Sequence, residues 1–364
     1  MPISISLCMI VKNEEDVLAR CLDSAAPIAD EIIIVDTGSE DKTTEIALSY
    51  TDKVYHFKWC DDFAAARNFS FSKATMEYCM WLDADDVITE DNLKLFLKLK
   101  SDPEMQADVI MLPYCLTVSP DGSPDFWYYR ERIVRNLPQY KWDGRVHEAI
   151  TPSGKIVYGD AVVMHRKTHP SEPGRNLRIL EKIKSDPGGL SPRQQFYYGR
   201  ELFENNRFSE AADELELFIK SPGGWIENKI NACMVLALCY EKTNNRIKAY
   251  SALLDSFRLD SPRAELCCQL GRLFMEDGLY NSAVYWYKTA LDLPYNPGSG
   301  GFVLSECYGF LPCIQLCVCY DRLGDLESAR VYNEKAGEYR PDSPEYLYNK
   351  AYFNNKSMKG EQNL

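Results

Sequence analysis

From residue 199 onward the chain places a small residue and, twelve positions later, an alanine, four times in series: Gly199 and Ala211, Ala237 and Ala249, Gly271 and Ala283, Cys317 and Ala329. Successive units begin 38, 34 and 46 residues apart. A period near 34 residues belongs to a helix–turn–helix unit that buries its apolar face only by stacking on its neighbours. Four units in series commit this half to an all-α array. The last interval exceeds the period by twelve residues, and the surplus falls in the glycine-rich stretch Tyr295–Glu306.

Before about residue 170 the period is different. Short β-branched runs alternate with helical segments, the pattern of α/β units around a buried parallel sheet. Strands are expected at Ile3–Val11, Ile32–Val35, Val54–Phe57, Tyr78–Leu82 and Val109–Leu112, and helices at Glu14–Ala25, Thr43–Tyr50 and Phe63–Lys73. Right-handed crossovers between such strands put ligands at their carboxyl ends. The expected organisation is an α/β domain at 1–170, a one-helix junction between Pro and Gly breakers at 171–192, and the helical array at 193–364. The polar tail Asn354–Leu364 is expected to fray.

Composition narrows the function classes. With 54 acidic residues against 41 basic ones and a net charge of -13, the chain is unsuited to nonspecific polyanion binding, and no nucleic-acid partner is expected. A local basic pocket for a small anion stays compatible with that balance. No apolar run approaches the ~20 residues of a membrane span. The opening MPISISLCMIV lacks a cationic leader and a small-residue cleavage site, so it reads as a first buried strand. The 13 cysteines are odd in number, scattered from Cys8 to Cys319 and never in CxxC spacing, which argues against a disulfide framework or a zinc site and for the cytoplasm.

The most informative stretch is YCMWLDADD, residues 78–86, in which an apolar strand runs into Asp83, Asp85 and Asp86. A break in strand geometry after Asp83 lets Asp83 and Asp85 face one divalent cation, and Mg²⁺ or Mn²⁺ prefers such hard oxygen ligands. The bland alternative is an acidic turn, or an N-cap for the helix starting near Thr89. Three further segments supply context: IVKNEE at 10–15, IIVDTGSED at 33–41 and DDFAAARN at 61–68. Asp36 ends a strand before a glycine-containing turn, where a carboxylate can accept the imide hydrogen of a uracil ring; the turn's other use is capping the Thr43 helix through Ser39 or Asp41. Arg67 stands open between a diphosphate or base contact and an ion pair with Asp61 or Asp62.

These segments, in this order and spacing, resemble family 2 glycosyltransferases of the GT-A fold, a Rossmann-like nucleotide-sugar-binding architecture. The helical half resembles tetratricopeptide repeats: Gly278, Tyr287 and Ala290 fall on pattern positions in one unit, and Tyr320, Gly324, Ala336 and Pro341 in another. The combination is similar to a bacterial subgroup that includes peptide S-glycosyltransferases of the sublancin type. The resemblance implies transfer of a hexose or N-acetylhexosamine from a UDP-sugar with inversion at the anomeric carbon. It implies nucleotide-sugar contacts at Val11, Asn13, Glu14, Asp36, Arg67, Asp83 and Trp142, and an Mn²⁺ or Mg²⁺ ion held by Asp83 and Asp85.

Inverting transfer needs a base on the acceptor side. The segment YKWDGRVHE, residues 140–148, resembles the family's W-x-G-x-V-H-E stretch and offers Glu148, favoured here as base, with Asp143 in reserve. His147 either hydrogen-bonds the diphosphate or is structural. His165 follows the apolar run Ala161–Met164, where GT-A enzymes carry a third metal ligand; a satisfied structural imidazole is its alternative. His169 precedes Pro170 and reads as a loop residue. Arg130, Arg132 and Arg135 lie in an extended YYRERIVRN run without individual assignment, and Trp127, Tyr128, Tyr129 and Trp142 serve either sugar stacking or the core.

The helical half is expected to select a peptide or protein acceptor or to form a homodimer. Two other readings compete. A nucleotidyltransferase lacks its glycine-rich, basic phosphate loop here. A repeat scaffold with an inactive transferase-like domain would have no use for three clustered, mutually repelling carboxylates.

Overall fold

The computed structural model describes residues 2–118, 124–168, 172–296 and 301–361. The chain forms two compact units, Met1–Tyr198 and Gly199–Leu364.

In the first unit, β1 (Ile5–Val11), α1 (Leu18–Ala25), β2 (Glu31–Asp36), α2 (Thr43–Tyr50), β3 (Val54–His56), α3 (Phe63–Phe71) and β4 (Tyr78–Trp81) follow one another as βα units. β1 lies between β2 and β4, and all three run parallel, as do β2 and β3. Next come β5 (Asp86–Val87), α4 (Glu90–Ser101), β6 (Val109–Val118) and β7 (Pro124–Arg135). β8 (Trp142–Asp143) and β9 (Ala149–Ile150) form a small separate pair, and β10 (Ile156–Tyr158) and β11 (Val163–His165) return to β6.

The sheet is mixed where a parallel one was expected. β7 enters between β4 and β6 and runs antiparallel to both. Its charged sequence hides a central strand from a reading based on apolar runs, yet Ile133 and Val134 are fully buried within it. Side chains alternate across the strand, so Tyr128 packs towards the face covered by α1 and α4, and Tyr129 towards the opposite core around Trp81 and Trp142.

The helix α5 (Arg175–Ser185) lies in the stretch read as a junction but belongs to the first unit. It buries Leu177, Ile179, Leu180 and Ile183, stacks Arg175 on Phe63, and pairs Lys182 with Asp61. The division between units therefore falls at Tyr198, inside α6 (Pro192–Glu204).

The second unit is a tetratricopeptide-like array of helix pairs: α6 with α7 (Phe208–Lys220), α8 (Ile226–Lys242) with α9 (Arg246–Asp255), α10 (Ala264–Glu276) with α11 (Tyr280–Asp292), and α12 (Phe310–Leu323) with α13 (Leu326–Tyr339). Each small residue and its alanine sit on the two helices of one pair. At Gly271 an added Cβ would stand 2.8 Å from the Tyr287 ring, so the small residue sets how closely the helices approach. Seven positions after each small residue comes the turn, and it is left-handed every time: Asn206 (φ 62), Asn244 (φ 57), Gly278 (φ 74) and Gly324 (φ 83). Asn and Gly are the residues that tolerate this conformation, and they cap the first helix of each pair.

α14 (Pro344–Glu361) seats Phe353 against Cys317 and Ala329 and extends into the tail as far as Glu361, while 362–364 lie outside the described residues. His169 lies outside the described residues. Among the described helices none is long and apolar enough to cross a membrane.

Candidate active site

The carboxyl ends of β1 and β4 open into a cleft of about 800 Å³ within the first unit. Its floor is built by interlocked loops. Asn13 takes a left-handed conformation (φ 54), so that its N–H donates to Ser39 Oγ at 3.0 Å and its Oδ1 accepts from Glu40 N at 2.8 Å. Glu14 N donates to Thr43 Oγ1 at 2.7 Å. The loops after β1 and β2 thereby fix each other, and Val11, Asn13, Glu14 and Thr37 line the cleft.

At its centre one guanidinium joins two carboxylates. Arg67, on α3 and 7% exposed, donates from Nε to Glu148 Oε1 at 2.6 Å and from Nη2 to Asp83 Oδ1 at 2.6 Å. The competing partners stand elsewhere: Asp62 caps α3 through Ala65 N, and Asp61 pairs with Lys182. Burial opposes the charge on Asp83, but the Arg67 charge and hydrogen bond win and hold its carboxyl at about 2. Trp142 is buried and places its ring 4.8 Å beneath the Arg67 guanidinium, a shelf for the arginine.

A second cluster lies beside the first. His165 Nδ1 is 3.3 Å from Asp85 Oδ1, 3.2 Å from Asp86 Oδ1 and 2.8 Å from Tyr114 Oη. Burial alone would lower the imidazole, but hydrogen bonds to Asp85 and Asp86 raise it to about 10. Asp86 is fully buried and anchored by Asp83 N at 3.0 Å, Tyr114 Oη at 2.9 Å and Arg132 Nη1 at 3.4 Å. Among the described residues, Asp85, Asp86 and His165 are the group whose ligand atoms converge on one point. Two carboxylates and an imidazole suit a divalent ion such as Mn²⁺. Asp83, expected in the metal set with Asp85 and His165, lines the cleft with both of them and bonds Arg67 through Oδ1.

Of the residues singled out in the sequence, Val11, Asn13, Glu14, Arg67, Asp83, Asp85, Glu148 and His165 share the cleft. Asp36, Trp142 and Asp143 are not among the residues lining it. Asp36 is 3% exposed, accepts from Gly38 N at 3.1 Å and Ser39 N at 3.0 Å, and has His56 Nδ1 at 3.3 Å. Asp143 is exposed on β8. Arg130 lines the cleft, Arg132 is buried beneath it, and Arg135 pairs with Glu77 and Asp108 at the far end of β7. His147 lines the cleft and stacks on Tyr197 with ring centres 4.0 Å apart. Tyr114 and α5's Arg175 and Asn176 also line it. No local motif marks Tyr114, and the other two sit in the stretch read as a junction.

The cleft coincides with a recognised sequence family, since residues 6–151 match the family model of glycosyl transferase family 2. Residues 6–151 belong to glycosyl transferase family 2. The chain is 34% identical over 149 residues to a TPR repeat-containing protein of Synechococcus elongatus, covering 41% of this chain and 36% of that protein. Over 278 residues the chain is 27% identical to the SPbeta prophage-derived glycosyltransferase SunS of Bacillus subtilis, covering 71% of this chain and 64% of SunS. The lipopolysaccharide core biosynthesis glycosyltransferase LpsC of Rhizobium meliloti is 28% identical over 165 residues, covering 42% and 58%. The matched segment is thus less than two thirds of each relative's length. His165, Arg175 and Asn176 lie beyond the family 2 domain, so the cleft is completed by residues that follow it.

Proposed function

We propose that this chain is an inverting glycosyltransferase that moves a hexose or N-acetylhexosamine from a UDP-sugar to a polypeptide acceptor. The observation that carries the reading is the convergence of Glu148, Arg67, Asp83, Asp85 and His165 in one cleft. Asp85, Asp86 and His165 would hold a divalent cation, which would supply charge neutralisation to the departing diphosphate.

The chain's own groups do the remainder. Asp83 orients Arg67, and Arg130 adds a second cation on the cleft wall. Glu148 is the base: Arg67 occupies Oε1, and Oε2 takes the acceptor proton as the new bond forms. Asp36 receives the uracil imide at the end of β2. Asp143, exposed on β8, is the reserve candidate for the base. The helical array presents the acceptor or pairs two copies of the chain. A reducing cytoplasm suits its thirteen cysteines, which the structure keeps as thiols.

The test is UDP release from a panel of UDP-sugars with Mn²⁺, Mg²⁺ or EDTA, for the parent and for Asp85→Asn. Metal-dependent release that Asp85→Asn abolishes is the expected result. Turnover that persists in EDTA, or no binding of any donor, would overturn the reading.

A further inference from the structure

The segment between β8 and β9 carries Glu148, and three elements hold its backbone. Gly144 (φ 98) turns the chain so sharply that a Cβ there would stand 3.6 Å from Glu148 Cα. Arg145 O accepts from Phe63 N of α3 at 2.8 Å, and Val146 is buried. Glu148 O accepts from Arg130 Nη2 of β7 at 3.3 Å.

Between these anchors His147 takes the left-handed conformation (φ 53). Among the described residues, the other non-glycine positions with positive φ are Asn or Asp, whose short polar side chains tolerate it. Such a conformation persists only where the surroundings over-determine it. At His147 the surroundings are α6. Arg193 Nε donates to His147 O at 3.2 Å, and the Tyr197 ring stacks on the imidazole at 4.0 Å with 10° between the planes. Arg193 and Tyr197 lie one turn apart on α6, with the guanidinium carbon 5.1 Å from the Tyr197 ring centre. Both belong to the first unit, and both follow residues 6–151, the family 2 domain.

The bond to His147 O matters because that oxygen shares a planar peptide unit with Glu148 N. Fixing the plane fixes the direction in which the Glu148 side chain leaves the backbone, and that direction brings Oε1 to Arg67 Nε at 2.6 Å. We propose that Arg193 and Tyr197 are positioning residues for Glu148, pinning His147 in its left-handed conformation so that the carboxylate stays on Arg67. The proposal rests on the reading of Glu148 as the base. Neither residue is among those lining the cleft, so each acts through the backbone it holds.

The experiment measures solvent exchange of the Arg67 Nε–H by heteronuclear NMR on the full chain without donor or metal. Arg272 Nε–H, bonded to Gln269 Oε1 at 2.9 Å in the second unit, is the internal reference. In Tyr197→Leu and in Arg193→Met the Arg67 proton should exchange about tenfold faster or more while the reference stays unchanged, as a local opening requires. Tyr197→Phe, which keeps the stacked ring, should match the parent. UDP release from UDP-sugars with Mn²⁺ gives a second reading: kcat should fall about tenfold or more with donor KM within about twofold. Added to Glu148→Gln, the same substitutions should cost no more than about a further twofold, because they act through the group already removed. Should Tyr197→Leu fail to fold by circular dichroism, Arg193→Met decides. Unchanged exchange at Arg67, equal acceleration at Arg272, or additive losses in Glu148→Gln would overturn the proposal. Parent-like turnover in Glu148→Gln would instead overturn the choice of base, and the exchange at Arg67 would still decide whether α6 aims that carboxylate.

Discussion

Arg67 and Glu148, 81 residues apart in sequence, are joined by an Nε–H···Oε1 bond of 2.6 Å. The same guanidinium holds Asp83, so one buried cation compensates two carboxylates. Removing a partner from such a group leaves uncompensated buried charge, at a cost of about 3–5 kcal/mol. Arg67→Met should therefore lower stability by that amount in urea denaturation and abolish UDP release. Arg67→Lys, which cannot reach both carboxylates with one planar fork, should fall between. Parent-like stability in Arg67→Met would show that the two bonds contribute nothing.

The two candidate bases differ in where they sit. Glu148 lines the cleft, and Asp143 is exposed outside its lining. Glu148→Gln keeps an oxygen for Arg67 but loses the basic site, and should reduce transfer by roughly 10²–10⁴-fold with little change in donor KM. Asp143→Asn should leave both within about twofold on the same argument. Steady-state kinetics on the two variants decide, and a large loss in Asp143→Asn alone would move the base to β8.

In the metal-free protein Asp85 and Asp86 hold a proton on His165 up to about pH 10, against the opposing effect of burial. A metal ligand must be neutral imidazole, so ion binding displaces that proton. Mn²⁺ affinity should rise about tenfold per pH unit below that value, and calorimetry in buffers of different ionisation enthalpy should register about one proton released. His165→Asn should remove the pH dependence. An Mn²⁺ affinity that is flat with pH in the parent would exclude His165 from the ligand set.

Local spacing made much of this molecule legible. The apolar runs of β1, β2 and β4 and the acidic end of β4 stand out because a buried parallel strand must be continuously apolar until it reaches its ligand. β7 was not legible as a central strand, since Arg130, Glu131 and Arg132 interrupt its apolar pattern and their compensation comes from Trp81, Asp86 and one another. Asp83 and Asp85 both line the cleft as expected, but the partner that holds Asp83 in the structure was not legible. Sequence separation shows which carboxylates are near, but the choice of partner is set by Arg67, which arrives from another element. In the helical half, the left-handed turn at Asn206 and Asn244 is a signal that a search for glycine alone passes over.

Away from the cleft, Glu31 offers a check on the core. Burial would raise its carboxyl, but Lys53, Ser6 and Thr75 together bring it from 4.5 down to about 2. A carboxyl depressed on folding stabilises the fold above its unfolded value, and that contribution is lost as pH falls from about 4.5 towards 2. The shift corresponds to at most about 3 kcal/mol. Glu31→Gln should flatten the acid limb of the stability curve over that window in urea melts at successive pH values. An unchanged limb would place acid sensitivity elsewhere.

The turn of the third helix pair tests whether its glycine is there for space or for backbone conformation. A Cβ at Gly278 meets nothing within 4 Å, yet φ is +74, so substitution is opposed by the backbone alone. Asn holds the equivalent left-handed position in the first two pairs, at Asn206 and Asn244. Gly278→Asn should thus cost only a few tenths of a kcal/mol, Gly278→Ala about 1 kcal/mol, and Gly278→Val more, because a β-branched side chain is least tolerant of positive φ. Gly271→Ala, in the first helix of the same pair, should cost more than Gly278→Ala, since its Cβ would stand 2.8 Å from the Tyr287 ring. Urea melts of the four variants give the order directly. If Gly278→Asn destabilised as much as Gly278→Val, the turn would be limited by space that the backbone geometry does not account for.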